Sequence, residues 1–125
     1  MARKRDTYIA STDVGKIKEL SLRYALTIGD IADVLDVAPK TLSRWAKKNN
    51  KKSGVISERR TDSLLVLESI LELGKKVLGS DEELNRWLHN PVFALDGKKP
   101  VDVIKTESGR RKVEEVLHQI EFGIY

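Results

Sequence analysis

The chain has 125 residues, enough for one domain or two small ones, and no cysteine, which excludes disulfides and thiolate metal sites. No apolar run approaches the ~18 residues of a membrane span, and the basic start Met1-Ala2-Arg3-Lys4-Arg5 has no apolar stretch behind it; neither span nor signal peptide is expected, and the chain is read as cytoplasmic. The net charge of +4 is uneven: residues 1–60 hold 14 Lys and Arg against 7 Asp and Glu, residues 61–125 hold 9 against 12, so the first half is either an anion-binding or simply a solvated surface.

Residues 1–13 are polar and read as a frayed end or an arm. Over 14–26, Val14, Ile17, Leu20 and Ala25 fall near one helical face, with Leu22 and Leu26 widening it. Thr27 is placed to cap a new helix, its hydroxyl reaching the amide of Asp30, and Ile28, Ile31, Ala32 and Leu35 follow. Asp36-Val37-Ala38 breaks that helix. Pro39 suits the first position of the next one, which runs to about Lys48 with Leu42 and Trp45 on its apolar face. Residues 49–55 form a polar linker. Ser57 is a candidate cap for a helix over about 58–78, where Leu64, Leu67, Leu71, Gly74 and Leu78 recur at spacings of three and four beside Ile70 and Val77. Gly79 ends it, and Ser80 with Glu83 reads as a capping box for a helix carrying Leu84, Trp87 and Leu88. After a loop over 90–99, Pro100 opens a short helix with Val101, Val103 and Ile104. Thr106 caps the last one, striped by Val113, Val116, Leu117 and Ile120. The expected fold is all-α, with about seven helices and short connections.

Residues 27–48 combine a capped first helix, the small Ala32, an apolar turn residue in Val37 and a second helix. This is the helix-turn-helix pattern, in which the second helix lies in the DNA major groove. Lys40, Thr41, Ser43, Arg44, Lys47 and Lys48 occupy the faces left by Leu42 and Trp45. Arg44 has the fork to hold guanine, and Thr41 or Ser43 can reach base edges or phosphate. Lys47, Lys48, Lys51 and Lys52 suit phosphate contacts, which position without specifying. Asp36 stands where such turns commonly carry glycine; aspartate tolerates the left-handed region. Residues 1–56 are read as the DNA-binding domain. A single unit covers one half-site, so a dimer is expected; the stripe of 58–78 is either its seam or a core helix.

The chain finishes Phe122-Gly123-Ile124-Tyr125, an apolar tip hinged by a glycine. It either folds back on the last helix or enters another protein, where tyrosine is a common anchor. Arg110 and Arg111 are either interface cations or members of a solvated face.

Taken together with the helix-turn-helix and the helix start at 57–65, the marks Trp87-Leu88, Asn90-Pro91, Ala94-Leu95, Gly97, Pro100, Thr106-Glu107-Ser108-Gly109 and the ending from Ile120 to Tyr125 give a chain that resembles the MbcA/ParS/Xre family of antitoxins. The resemblance covers roughly residues 14–125. It implies an Xre-like N-terminal half that binds the operator of its own operon as a dimer. It implies a C-terminal domain, residues 57–125, that dimerises and clamps a cognate toxin of the RES type, similar to ADP-ribosyltransferases and depleting NAD. Phe122, Gly123, Ile124 and Tyr125 would then point into or beside the toxin's active-site cleft.

His89 and His118 are far apart, no glycine loop for phosphates appears, and no nucleophile–base motif is present. The chain is therefore read as a non-enzyme without metal or cofactor. The rival reading is a stand-alone helix-turn-helix regulator whose C-terminal lobe only dimerises or senses a ligand; a structural adaptor with an incidental basic face is a third.

Overall fold

The structure is a computed structural model, and it describes residues 6–8, 11–48 and 55–123. The elements run β1 (Asp6–Tyr8), α1 (Ser11–Tyr24), α2 (Ile28–Leu35), α3 (Pro39–Lys48), β2 (Val55–Ser57), α4 (Glu58–Leu78), α5 (Asp81–Leu88), a 3-10 turn (Phe93–Leu95), α6 (Pro100–Val103) and α7 (Glu107–Glu121). The fold is all-α, as expected, apart from one small ribbon. β1 and β2 pair antiparallel, with Thr7 opposite Ile56. The ribbon was not foreseen, and it places Val55 in a strand instead of the expected linker. The chain divides into two compact units, Met1–Leu64 and Leu65–Tyr125.

In the first unit the core is built from Ile17, Leu20, Tyr24, Leu26, Ile31, Ala32, Val34, Leu35 and Leu42, all buried. Each large apolar side chain removed from water contributes about 1.5–3 kcal/mol before entropy is charged. The expected stripe of α1 needs correction. The helix ends at Tyr24, and Ala25 takes a left-handed conformation with φ 53°. The amide of Leu26 then bonds the carbonyl of Ser21 at 3.1 Å. That turn swings Ala25 out to solvent and leaves Leu22 86% exposed, while Tyr24 takes the buried place. The side chains of Val14 and Trp45 lie outside the described residues.

In the second unit Leu67, Ile70, Leu71, Leu84, Leu88, Leu95, Val101, Ile104, Val113, Val116 and Leu117 are buried. Gly74 lets α4 pack closely on α5: a Cβ there would stand 2.6 Å from Cδ1 of Leu84, and that buried side chain would have to shift. Ser80 accepts from the amide of Glu83 at 3.1 Å, as expected. The reciprocal arm of the box is replaced, because the Glu83 carboxylate pairs with Arg86 at 2.7 Å. Pro100 occupies the first turn of α6 and Thr106 accepts from the Gly109 amide at 3.0 Å. Among the described residues no helix is long and apolar enough to cross a membrane, and no group of acidic residues and histidines is arranged to hold a metal.

Candidate nucleic-acid and partner interfaces

The α2–α3 pair is fixed by its ends. Thr27 and Asp30 form a full capping box, with Asp30 N to Thr27 Oγ1 and Thr27 N to Asp30 Oδ2 both at 2.9 Å. This satisfies two of the amides that a helix start leaves without partners. At the other end Asp36 adopts φ 59°, ψ 49°. The amides of Asp36 and Val37 turn back to the carbonyls of Asp33 at 3.3 Å and Ala32 at 3.0 Å, the paired bonds that close a helix on a left-handed residue. Aspartate thus fills the place where glycine was the easier choice. Ala38 offers no side-chain cap, but its carbonyl accepts from Leu42 at 3.2 Å.

The turn sends α3 out with Pro39 at its start and Leu42 pinned in the core. Lys40 and Arg44 are exposed, one helical turn apart, with Thr41 and Ser43 half-buried beside them. Ile28, Pro39, Lys40, Ser43 and Arg44 line a shallow depression. No acidic residue lies within α3. Of the six candidates for DNA contact, Lys40, Ser43 and Arg44 therefore share one surface, and Thr41 lies half-buried on the other flank of Leu42. The side chains of Lys47 and Lys48 lie outside the described residues, as do Lys51 and Lys52.

Beyond Leu65 and Val66 on α4, the described residues of the C-terminal unit expose two large apolar side chains. The first is at the end of α7. Phe122 is 67% exposed, and its ring stacks on His118 with centroids 6.0 Å apart and planes 9° from parallel. His118 Nδ1 lies 3.1 Å from Glu121 Oε1, and Lys76 of α4 reaches Glu121 Oε2 at 3.3 Å. The hydrogen bond with His118, then that with Lys76, hold the Glu121 carboxyl below the usual carboxylate range. Gly123 follows with φ 69°, a value that favours glycine, and redirects the chain. Of the four expected toxin contacts, Phe122 and Gly123 are described; Ile124 and Tyr125 lie outside the described residues.

The second was missed by sequence reasoning. The segment after α5 is a tight, hydrogen-bonded loop. Val92 and Lys98 form a bridge, with Val92 N to Lys98 O at 3.1 Å and Gly97 N to Val92 O at 3.0 Å. Asp96 (φ 60°) and Gly97 (φ 76°) both take the left-handed region. Leu95 is drawn into the core, and Phe93, two residues earlier, is left 97% exposed. An apolar residue in a loop gives no signal of its direction, because no periodicity assigns it a face. Leu95, Asp96 and Lys98 of this loop line a depression with Asp102, Val103 and Lys112; Phe93 is not part of its lining.

Arg110 is neither an interface cation nor part of a solvated face. It is buried, and its guanidinium donates to the carbonyl of Ile104 at 2.9 Å, closing the turn between α6 and α7. Burial pulls its pKa down and the charge of Glu107 pulls it back up. Gly109 completes that junction: a Cβ would fall 1.8 Å from the Val103 carbonyl oxygen, so only glycine lets α7 start this close to α6. Arg111 is exposed and pairs with Glu107 at 3.6 Å.

Residues 73–123 match the family model described as the antitoxin Xre/MbcA/ParS C-terminal toxin-binding domain. The chain is 27% identical over 117 residues to the mycobacterial cidal antitoxin MbcA of Mycobacterium tuberculosis (strain ATCC 25618 / H37Rv), covering 94% of this chain and 95% of that protein. It is 34% identical over 98 residues to a protein of Sphingobium sp. (strain YBL2) named Prs ADP-ribosylating antitoxin, covering 74% of this chain and 62% of that one. Its fold resembles a chain in the crystal structure of the M. tuberculosis MbcT–MbcA toxin–antitoxin complex, with TM-score 0.56, 17% identity and coverage of 90% of this chain and 96% of that one.

Proposed function

Residues 73–123 carry the C-terminal domain of the Xre/MbcA/ParS antitoxin family, which makes the chain an antitoxin of a toxin–antitoxin system, and from that premise we propose that its partner is a RES-type toxin that depletes NAD. The antitoxin neutralises it by covering the active-site cleft, with Phe122, Gly123, Ile124 and Tyr125 as the segment that reaches the cleft. The observation that carries this reading is the family match, which ends at the glycine from which the apolar tip departs. The stacked His118–Phe122 pair supports it, since it leaves an aromatic ring ordered yet open to solvent. Tyrosine and phenylalanine at such a place supply contact area with few torsions to freeze.

The first unit serves transcription in this proposal. Two helices joined by the Asp36–Ala38 turn have the helix-turn-helix connection, and α3 presents Lys40, Ser43 and Arg44 together, with Thr41 on its other flank and no acidic neighbour on the same helix. The chain binds the operator of its own operon as a homodimer. Leu65 and Val66 support the dimer: both are exposed apolar residues on α4, turned away from the buried Leu64, Leu67 and Leu71.

The direct experiment co-expresses the chain with the protein encoded by the adjacent reading frame and follows growth, cellular NAD and co-purification. The full chain is expected to capture that protein and restore both growth and NAD. Deletion of residues 122–125 is expected to abolish neutralisation; intact neutralisation by that truncated chain would remove the tail from the mechanism. A full chain that binds operator DNA but captures no toxin would leave the stand-alone regulator as the better reading.

A further inference from the structure

We infer that Phe93 is a second anchor for the toxin, entering an apolar pocket of that partner separately from the C-terminal tail. This rests on the toxin-binding reading above. Three observations carry it. The first is that the fold makes no use of the side chain: Phe93 is 97% exposed, while Leu95 supplies the loop's buried contact. A single exposed apolar residue is ordinary on a surface, so the exposure of this ring counts only together with the rigidity of the loop that presents it.

The second is that the ring is held ready. Its backbone sits in a 3-10 turn locked by the Val92–Lys98 bridge and by bonds from Leu95 to Val92 (2.9 Å), Asp96 to Phe93 (3.0 Å) and Lys98 to Leu95 (3.1 Å). Two left-handed residues, Asp96 and Gly97, complete the reversal. Binding therefore freezes little more than the two side-chain torsions, while an aromatic ring brings about 150–250 Å² of contact.

The third concerns the occupant. Leu95, Asp96 and Lys98 of the same loop line a depression together with Asp102, Val103 and Lys112, so the surface next to the loop is part apolar and part charged, with both signs present. The matched family model, residues 73–123, is described as a toxin-binding domain, which favours the toxin over a second copy as the occupant. The family match also spans this loop.

The test titrates the full chain and Phe93→Ala against the purified protein of the adjacent reading frame by calorimetry, with sedimentation of each antitoxin alone. Phe93→Ala is expected to keep the wild-type melting temperature and to weaken toxin binding about 30-fold, the scale of an interface hot spot. Phe93→Trp is expected to retain most of the affinity. Wild-type binding matched within threefold by Phe93→Ala overturns the anchor and leaves the toxin reading intact. A shift of Phe93→Ala from dimer to monomer with unchanged toxin affinity also overturns it, in favour of a second copy. No binding by the wild type overturns the toxin reading itself.

Discussion

The α2–α3 pair and the closing segments of the C-terminal unit meet solvent with opposite chemistry. The pair buries its apolar side chains, Ile31, Leu35 and Leu42 among them, and turns Lys40 and Arg44 outward. The C-terminal unit leaves Phe93 and Phe122 out and draws Arg110 in. Charged surfaces act at a distance, and their grip falls with salt; apolar anchors act only on contact and tolerate salt. On the proposed function one chain would carry two kinds of recognition that need not interfere, because each depends on a variable the other hardly feels.

The comparison breaks first at Gly109. Gly109→Ala forces a Cβ to within 1.8 Å of the Val103 carbonyl oxygen, so α6 and α7 must separate. The expected cost is about 3 kcal/mol or more, at the upper end of overpacking. Thermal unfolding followed by circular dichroism should show it, and toxin capture should fall with it. Operator binding measured on the same sample should persist; equal loss of both would show that the two recognition surfaces are not separable.

Arg44→Ala sharpens the other side. Loss of its fork to a base is expected to cost about 1–3 kcal/mol in operator affinity and to relax specificity at one position, while toxin capture is unchanged. A shift assay at fixed salt against operator and scrambled DNA reads both effects, and unchanged affinity would remove α3 from the interface.

The smallest effect lies at Glu121. Its folded pKa is depressed by His118 and Lys76, so its contribution is fully present above the ordinary carboxylate pKa and is lost as pH falls through the depressed one. The expected signature is a change in the ring signals of His118 and Phe122 in proton NMR at acidic pH, absent in Glu121→Gln. A wild type whose ring signals follow those of the variant would show that the carboxylate does not hold the pair.

What was legible in the sequence was local. Thr27, Ser80 and Thr106 each cap a helix through a hydroxyl three residues from the amide it serves, and Pro39 and Pro100 mark first turns. Such contacts span less than one turn, so residue type and spacing suffice. The left-handed Asp36 was legible for the same reason. The β1–β2 ribbon was not, because three-residue strands carry little periodicity and their pairing spans the whole of α1 to α3. Arg110 was misread because a cation's burial depends on a carbonyl six residues earlier that only the α6–α7 junction brings near. Leu22 was misjudged in the opposite sense, because its spacing set it beside an apolar face, while Phe93 sits in a loop where no periodicity assigns a side. At the proposed tail the residue types were visible, but the His118–Phe122 stack and the Lys76–Glu121 link needed the folded α4 and α7.

The ribbon has a kinetic meaning. Its two strands can pair only after α1, α2 and α3 have brought the chain back on itself, so it carries the largest loop-closure entropy of the first unit. A pair of three-residue strands contributes little stability by itself. The ribbon is therefore expected to close after the helices and to open before them, which hydrogen exchange at the amides of Thr7 and Ile56 would read as protection weaker than that of α2.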